Sequence, residues 1–163
     1  MKSTGEVMGI DDDFGLAYAK TQMAASPPLP LKGNVFISVR DADKAAIVAL
    51  APELQKLGFW VYSTSGTAAA LEAAGVPVVR LFKLNEGRPN VLDMLKNGEI
   101  ALIINTPAGP VARQDEVRIR TTALYQRVPV MTTLAAAQAT LRALRSLKSK
   151  TLGVKSLQEY HAG

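Results

Sequence analysis

The 163-residue sequence has no cysteine and a single histidine, His161, which stands third from its C-terminal end. A disulfide framework is therefore excluded, and so is a structural zinc site, which needs several cysteine or histidine ligands. Catalysis by a cysteine nucleophile or by a Ser-His-Asp triad is disfavoured for the same reason. The absence of cysteine fits a cytoplasmic protein.

Long apolar runs are absent too. No stretch approaches the roughly 20 apolar residues that a membrane-spanning helix needs, and residues 1–10 lack the continuous apolar segment of a secretory signal. We therefore expect no membrane partner. A hydrophobic content of 48% and a charged content of 20% indicate a soluble globular domain, and 163 residues suffice for one.

Aromatic residues are few, with one Trp, four Tyr and four Phe, and they are not interleaved with basic residues as in single-stranded nucleic-acid binders. The net charge is nevertheless +5. A small anionic ligand explains this charge equally well. Because the basic residues are mostly scattered and a stacking platform of aromatic residues is missing, we expect no nucleic-acid partner. One dense basic group fits the exposed face of a helix: Arg142, Arg145, Lys148 and Lys150.

Three prolines within residues 27–30 mark a break in the chain. Prolines fix φ and remove backbone donors, so this stretch predicts a stiff, non-helical linker. A short helix is predicted before it, over residues 14–24. We place a domain boundary near Leu31, which divides the chain into a tail with its linker, 1–30, and one α/β domain, 31–163.

From residue 31 onward, short apolar runs alternate with amphipathic segments. Asp41 is the expected N-cap of the first helix in this part, and residues 151–160 are expected to add one more strand or turn. Strands separated by helices indicate parallel βαβ units. The predicted fold is a three-layer α/β sandwich, with a five-stranded, mainly parallel sheet between helices. The pattern predicts strands at 34–39, 59–62, 76–81, 99–105 and 128–131, and helices at 41–57, 67–74, 90–97, 113–126 and 134–148.

Polar side chains follow every predicted strand. Ligands of such folds bind beyond the carboxyl ends of the strands, so these residues are expected to meet at one edge of the sheet. In chain order they are Ser38 with Lys44, the run 64–67, Lys83, Asn105 with Thr106, and Thr132 with Thr133.

These residues predict a pocket for a phosphate or a carboxylate. The backbone N–H groups of residues 65–67 and the hydroxyls of Thr64 and Thr67 would hold the oxygens of the anion. Lys44 and Lys83 would neutralise its charge, and Asn105 would read a donor–acceptor edge on the rest of the ligand.

Each of these residues has a purely structural alternative. Residues 63–67 can be a turn in which Thr64 or Ser65 caps the next helix. Lys44 can be a solvated helix residue, and residues 105–106 can simply end a strand. The acidic run 11–13 is interpreted as a solvated loop, since a hard cation needs several converging oxygen ligands. The argument for a site therefore rests on the convergence of several signals at one edge.

Six short motifs occur in order along the chain. In this order they resemble the C-terminal regulatory domain of carbamoyl-phosphate synthase large subunits, a methylglyoxal-synthase-like domain. The resemblance covers residues 31 to 163, and residues 3–10 and 14–20 resemble the end of the preceding ATP-grasp synthetase half. It implies an excised C-terminal piece of a longer, cytoplasmic chain. The motifs are SVRDADK at 38–44, TSGT at 64–67, KLNEGRP at 83–89, IINT at 103–106, IRTTAL at 119–124 and TTL at 132–134.

The resemblance implies an allosteric domain rather than a catalytic one, without a cofactor of its own. The parent enzymes are glutamine-dependent ligases that use ATP with Mg or Mn, make carbamoyl phosphate for pyrimidine and arginine synthesis, and work with a glutaminase small subunit. Their effectors are UMP and IMP, which share one nucleotide site, and ornithine, which binds nearby at a domain boundary. The synthetase domains of the same chain are the implied partners.

The site residues carry over by motif position. A lysine at position 83 favours a phosphorylated ligand over the N-acetylglutamate of the urea-cycle enzymes. The phosphate-binding part corresponds to Lys44, Thr64, Ser65, Gly66, Thr67 and Lys83, the base and ribose part to Ser38, Asn105, Thr106 and Asp115, and the ornithine position to Thr132 and Thr133.

Three positions depart from the family pattern: Ser65 replaces a frequent His, Pro107 a hydroxyl residue, and Val130 the Tyr of ornithine-responsive domains. The identity of the nucleotide and the ornithine assignment therefore stay open. A phosphate-binding lyase of the methylglyoxal synthase superfamily is the alternative function. That chemistry uses an Asp after the fourth strand as its base, whereas no carboxylate lies between Glu99 and Asp115.

Overall fold

The structure is a computed structural model that describes residues 2–3, 5–25, 27–107 and 113–161. Strands and helices alternate along most of this length, and a single 3-10 turn, Asp41–Asp43, precedes the second helix. The strands are β1 (Lys2–Ser3), β2 (Glu6–Val7), β3 (Gly33–Ser38), β4 (Phe59–Thr64), β5 (Val79–Leu81), β6 (Ile100–Asn105) and β7 (Val130–Met131). The helices are α1 (Phe14–Ala25), α2 (Lys44–Lys56), α3 (Ser65–Ala73), α4 (Val91–Lys96), α5 (Arg113–Tyr125), α6 (Leu134–Ser149) and α7 (Leu157–His161).

The main sheet has five strands in the order β5-β4-β3-β6-β7, and every neighbouring pair is parallel. The predicted three-layer α/β fold is therefore confirmed, while the antiparallel ribbon of β1 and β2 was not predicted. From the central strand β3 the chain first builds outward to β5 and then crosses to β6 on the other side. The direction in which successive strands are added to the sheet therefore reverses between β3 and β6. In open α/β sheets, ligands bind at such a switch point.

Two hydrophobic cores lie on opposite faces of the sheet. Neighbouring residues of a strand point to opposite faces, so Val35 and Ile37 pack into one core and Phe36 into the other. The first core also contains residues of α1, α2, α3 and α6, and the second contains residues of α4 and α5. Because helices cover both faces, β3 is apolar throughout its middle, as the sequence pattern indicated.

Several element boundaries differ from the predictions. The predicted loop at 63–67 is absent: Ser63 and Thr64 extend β4 by pairing with β5, and α3 follows directly. Asp41 is not a helix N-cap but starts the 3-10 turn. Pro52 lies inside an unbroken α2. The C-terminal segment, expected to be a strand or a turn, contains the short helix α7.

The segment before the predicted boundary near Leu31 packs closely on the sheet domain. Helix α1 lies along α6, and Ala19 and Leu29 belong to the first hydrophobic core. Gly15 marks the closest approach, because a Cβ there would lie 2.6 Å from the carbonyl oxygen of Arg142 on α6 and closer still to the Ser146 hydroxyl. The division into 1–30 and 31–163 stays a prediction.

Replacing Gly15 with alanine is expected to destabilise the fold by about 1–3 kcal/mol, the usual cost of overpacking a tight contact. The added methyl group would force α1 away from the backbone of α6. Urea unfolding measures the change. Gly153→Ala is the control, since a Cβ there meets nothing within 4 Å; equal stability of the two variants would contradict the prediction.

Candidate functional site

A cavity of about 340 Å³ opens at the carboxyl ends of β3, β4, β5 and β6, where the sheet changes its direction of building. Nine of the ten residues predicted for nucleotide binding line it. They are Ser38, Lys44, Thr64, Gly66, Thr67, Lys83, Asn105, Thr106 and, from α5, Asp115, with Ser65 alone outside the lining.

With Asp115 included, nine of the ten predicted nucleotide-binding residues lie at this cavity: eight come from the strand ends and the helices that follow them, and one comes from α5. Ser65 is exposed at the start of α3. The convergence that the sequence predicted at one edge of the sheet is therefore present in the structure for these residues.

The start of α3 faces this cavity. β4 runs into α3 without a loop, and the side chain of Thr64 at the N-cap position makes no capping hydrogen bond. The capping role considered for Thr64 is thus wrong. The N–H groups in the first turn of a helix have no partner within the helix, and they carry the positive end of its dipole. This helix start can bind the oxygens of an anion.

Two lysines add positive charge at the mouth of the cavity. The Lys44 ammonium pairs with Asp41 at 2.7 Å, and the Lys83 ammonium pairs with Glu86 at 3.2 Å. The hydrogen bond and charge of Lys44 lower the pKa of the Asp41 carboxyl, so this carboxyl is ionised at neutral pH. The side chain of Asp41 is 94% exposed. Exposed pairs of this kind are weak, so an anionic ligand can replace the carboxylate.

Two of the predicted hydroxyls hold the protein's own backbone. The Thr67 hydroxyl accepts a hydrogen bond from the Val39 N–H at 3.2 Å and donates to the Val39 carbonyl oxygen at 3.4 Å. Thr106 accepts from the Arg40 N–H at 3.2 Å, and its hydrogen bond to Asp43 lowers the pKa of that carboxyl. In this structure the two hydroxyls fix the connection between β3 and α2. The part expected for them in ligand binding stays a prediction.

Asn105 brings an unpaired acceptor to the interior of the site. Its side chain is 3% exposed, and its Nδ2 donates to the Ser38 carbonyl oxygen at 3.1 Å. Its Oδ1 is buried and has no hydrogen-bond partner in the described part of the chain. A buried acceptor without a partner costs free energy, which an N–H or O–H donor of a ligand would recover.

Sequence reasoning missed an acidic residue and an apolar wall at this cavity. Glu116 of α5 is 7% exposed, and its Oε2 lies 3.9 Å from Nη2 of Arg120. Glu116 lies three residues before Ile119, so the two share one face of α5. This spacing could have indicated that Glu116 is buried, but the sequence does not say which face of α5 meets the sheet. The apolar wall consists of Phe36, Val39, Phe82, Leu84, Val91 and Ile119.

The two threonines after the last strand lie elsewhere, which corrects the expectation that they share this edge. Thr132 lines a second cavity together with Ala25 and Pro27, next to the proline-rich linker. The Thr133 hydroxyl accepts from the Ala136 N–H at 3.1 Å and caps α6. Thr133 therefore has a structural role in this fold.

The other charged groups singled out in the sequence are bound within the chain. In the acidic run, Asp11 pairs with Lys20, Asp12 with Lys155 and Asp13 with Lys150. The described ranges contain no group of three metal-ligating side chains and no helix long and apolar enough to cross a bilayer. In the basic group, Arg142 stacks on Phe14, Arg145 pairs with Glu53, and Lys148 donates to the Leu57 carbonyl oxygen.

Replacing Thr67 with valine is expected to lower the free energy of unfolding by about 1–3 kcal/mol, because the buried polar groups of Val39 lose their partner. Chemical denaturation measures this change. Thr64→Val is the comparison, since the Thr64 side chain makes no capping bond, and it is expected to stay within about 0.5 kcal/mol of the original chain. Full stability of Thr67→Val would show that the hydroxyl is not structural.

Comparison with known proteins supports the three-layer α/β fold described above. The model of the MGS-like domain family matches residues 46–132. The chain is 52% identical over 166 residues to the C-terminal section of the carbamoyl phosphate synthase large chain of Aquifex aeolicus, and 51% identical over 160 residues to the large chain of Nostoc sp.. These alignments cover 99% and 98% of this chain, but only 31% and 14% of the two relatives.

A solved structure of methylglyoxal synthase from Elizabethkingia anophelis matches with a TM-score of 0.55 at 20% identity, over 69% of this chain and 79% of that one. This likeness shows the fold alone. The family match covers more than half of the chain, and the two relatives extend the similarity to nearly all of it. The chain therefore belongs to the MGS-like domain family, and within it resembles the domains found in the C-terminal section of carbamoyl phosphate synthase large chains.

Proposed function

We propose that this chain is the regulatory domain of a carbamoyl phosphate synthase large chain, and that its cavity binds a nucleoside monophosphate of the UMP or IMP type. The observation that carries the proposal is the meeting of three anion-binding features at one cavity: the uncapped start of α3, Lys44 and Lys83. The similarity to the large chains over almost the whole sequence supports the regulatory part of the proposal.

The phosphate would bind at the mouth of the cavity. There the N–H groups at the start of α3 would bind its oxygens. The phosphate would replace the carboxylates of Asp41 and Glu86 as the partner of the two ammonium groups. The nucleoside would extend inward along the apolar wall. Asn105 would accept a hydrogen bond from the base, and Asp115 lies where it can meet the ribose hydroxyls.

Regulation in this proposal is a shift between two arrangements of the domain and its synthetase partners. An effector can shift such an equilibrium only when it binds one arrangement more tightly than the other. The parent chain would carry the ATP- and metal-dependent ligase chemistry and recruit the glutaminase small subunit. The 20% identity to methylglyoxal synthase supports the fold only, and gives the lyase alternative no functional support.

Ornithine is the less favoured part of the proposal. Thr132, which the resemblance links to ornithine, lines the second cavity beside Arg120 and Arg127. The described residues that line this cavity include no carboxylate to hold the ammonium groups of ornithine. Any acidic partner would have to come from another part of the parent enzyme.

Calorimetric titration tests the proposal, with UMP, IMP, ornithine and N-acetylglutamate in separate runs at low salt and without phosphate. Saturable binding of UMP or IMP is expected, and Lys83→Ala should weaken it by roughly tenfold, the loss of one charge-assisted contact. Binding of neither nucleotide, or nucleotide binding that Lys83→Ala leaves unchanged, would contradict the proposed site.

A further inference from the structure

We infer that the inner end of the cavity at the strand ends selects a guanine base, and that Glu116 of α5 is the residue that sets this preference. The inference rests on the proposed function, because it takes a nucleoside monophosphate as the ligand and adds which base the cavity prefers. It follows from which polar groups are buried inside the cavity and which are exposed at its mouth.

Charge divides the cavity into a cationic mouth and an interior with a buried acid. The side chains of Lys44 and Lys83 are partly exposed, whereas Asn105 and Glu116 are more than nine-tenths buried. An anionic group is attracted to the two ammonium groups at the mouth. A second anion farther in would be repelled by the carboxyl of Glu116. The ligand would therefore bind with its phosphate at the mouth and its neutral base inside.

The buried donor groups inside the cavity are already used by the protein. Four of the described lining residues are polar and buried: Thr67, Asn105, Thr106 and Glu116. Asn105 donates to the Ser38 carbonyl oxygen, Thr67 donates to the Val39 carbonyl oxygen, and Thr106 hydrogen-bonds to the Asp43 carboxyl. A ligand that needed a buried side-chain donor would have to displace one of these hydrogen bonds.

The buried acceptors, in contrast, can serve a ligand. The Oδ1 of Asn105 has no hydrogen-bond partner in the described part of the chain. The Glu116 carboxyl lies 3.9 Å from the Arg120 guanidinium, and a carboxylate has about four acceptor positions. It can therefore accept from a ligand while this ion pair is kept. Because a buried acceptor without a donor costs free energy, the inner end favours a ligand that donates there.

The nucleobases differ in the donors that they carry on their pairing edge. Guanine presents a ring N–H and an amino group side by side, which suits the two oxygens of a carboxylate, and the amino group has a second hydrogen for Oδ1 of Asn105. Hypoxanthine has the ring N–H without the amino group. Adenine has a ring acceptor in place of the N–H, and the Glu116 carboxyl would repel it. The expected order of affinity is guanine, hypoxanthine, adenine.

Titration calorimetry with GMP, IMP and AMP, at low salt and without phosphate, tests the inference. GMP and IMP differ only in the amino group, and GMP is expected to bind about tenfold more tightly, the equivalent of one charged hydrogen bond. AMP is expected to bind more weakly than IMP. Glu116→Gln should bring the affinities for GMP and IMP close together, because the amide replaces one acceptor oxygen with a donor. Glu99→Gln makes the same change at an exposed position outside the cavity and should keep the preference for GMP.

The outcomes separate this inference from the proposed function. Equal affinity for GMP and IMP would overturn the inference alone, since IMP binding that Lys83→Ala weakens still supports the nucleotide site. A preference for GMP that survives Glu116→Gln would contradict the role of Glu116. Binding of no nucleotide would overturn both proposals. If Glu116→Gln does not fold, the three nucleotides on the original chain decide: tighter binding of AMP than of IMP would mean that the inner end donates, and would overturn the inference.

Discussion

Lys44→Ala is expected to weaken the binding of UMP or IMP by roughly 10- to 100-fold while the chain stays folded. A hydrogen bond to a charged group contributes about 1.5–3 kcal/mol, and each 1.4 kcal/mol or so is a factor of ten in affinity. The Lys44 ammonium lies next to the start of α3, 3.7 Å from the point where a Cβ on Gly66 would sit. A phosphate held by the helix start would therefore contact this lysine directly. Titration calorimetry at low salt measures the loss.

The matched control is Lys56→Ala. Lys56 lies on the same helix, α2, and forms an ion pair of the same i,i+3 spacing with Glu53, but its side chain is 72% exposed and lies outside the cavity. Both substitutions remove one positive charge and one surface ion pair, which costs little stability. Unchanged nucleotide affinity in Lys44→Ala would contradict a direct contact between Lys44 and the phosphate. An equal loss of affinity in Lys56→Ala would contradict it too.

The layout of the fold could be read from the sequence because the apolar pattern of each strand reports its environment. Phe36 lies between Val35 and Ile37, and such an unbroken apolar run is typical of a strand buried on both faces. Prolines and glycines marked the breaks between elements. These signals are local, so the five strands and the helices between them were predicted with errors only at their ends.

The hydrogen-bond partners of individual hydroxyls could not be predicted from the sequence. Thr67 and Thr106 stand at the expected edge, but their hydroxyls bond to the backbone of residues 39 and 40, which lie in another connection of the chain. A hydroxyl can donate and accept in many directions, and its partner depends on how two separate connections pack. The sequence thus located these side chains at the site without deciding their role.

The acidic side of the site was missed for a related reason. Glu116 and Arg120 are one turn apart on α5, and such a pair is ordinarily a solvated one. Only the packing of α5 beside β6 and β7 buries Glu116 in the first cavity and leaves Arg120 at the second one. Which face of a helix meets its neighbours is a tertiary property when its apolar pattern is weak.

Gly66→Ala is expected to change stability and ligand affinity in opposite directions. Gly66 has an ordinary negative φ, and a Cβ there would meet nothing closer than the Lys44 ammonium, 3.7 Å away. Alanine in a helix is favoured over glycine by up to about 1 kcal/mol, so the empty chain should become slightly more stable. The new methyl group would fill the space between the start of α3 and Lys44, where a phosphate oxygen has to sit. We expect the affinity for UMP or IMP to fall by at least roughly tenfold, the equivalent of one charged contact.

Paired measurements of unfolding and of nucleotide affinity separate this effect from general damage. Gly153→Ala makes the same substitution where a Cβ meets nothing within 4 Å, and it should leave affinity unchanged. A loss of both stability and affinity in Gly66→Ala would mean that the methyl group distorts α3. Greater stability with full affinity would mean that the phosphate does not bind at the start of this helix. A phosphate held between α3 and Lys44 predicts a more stable chain that binds the nucleotide more weakly. The reason is that the methyl group and the phosphate oxygen would occupy the same space, so only one of them fits.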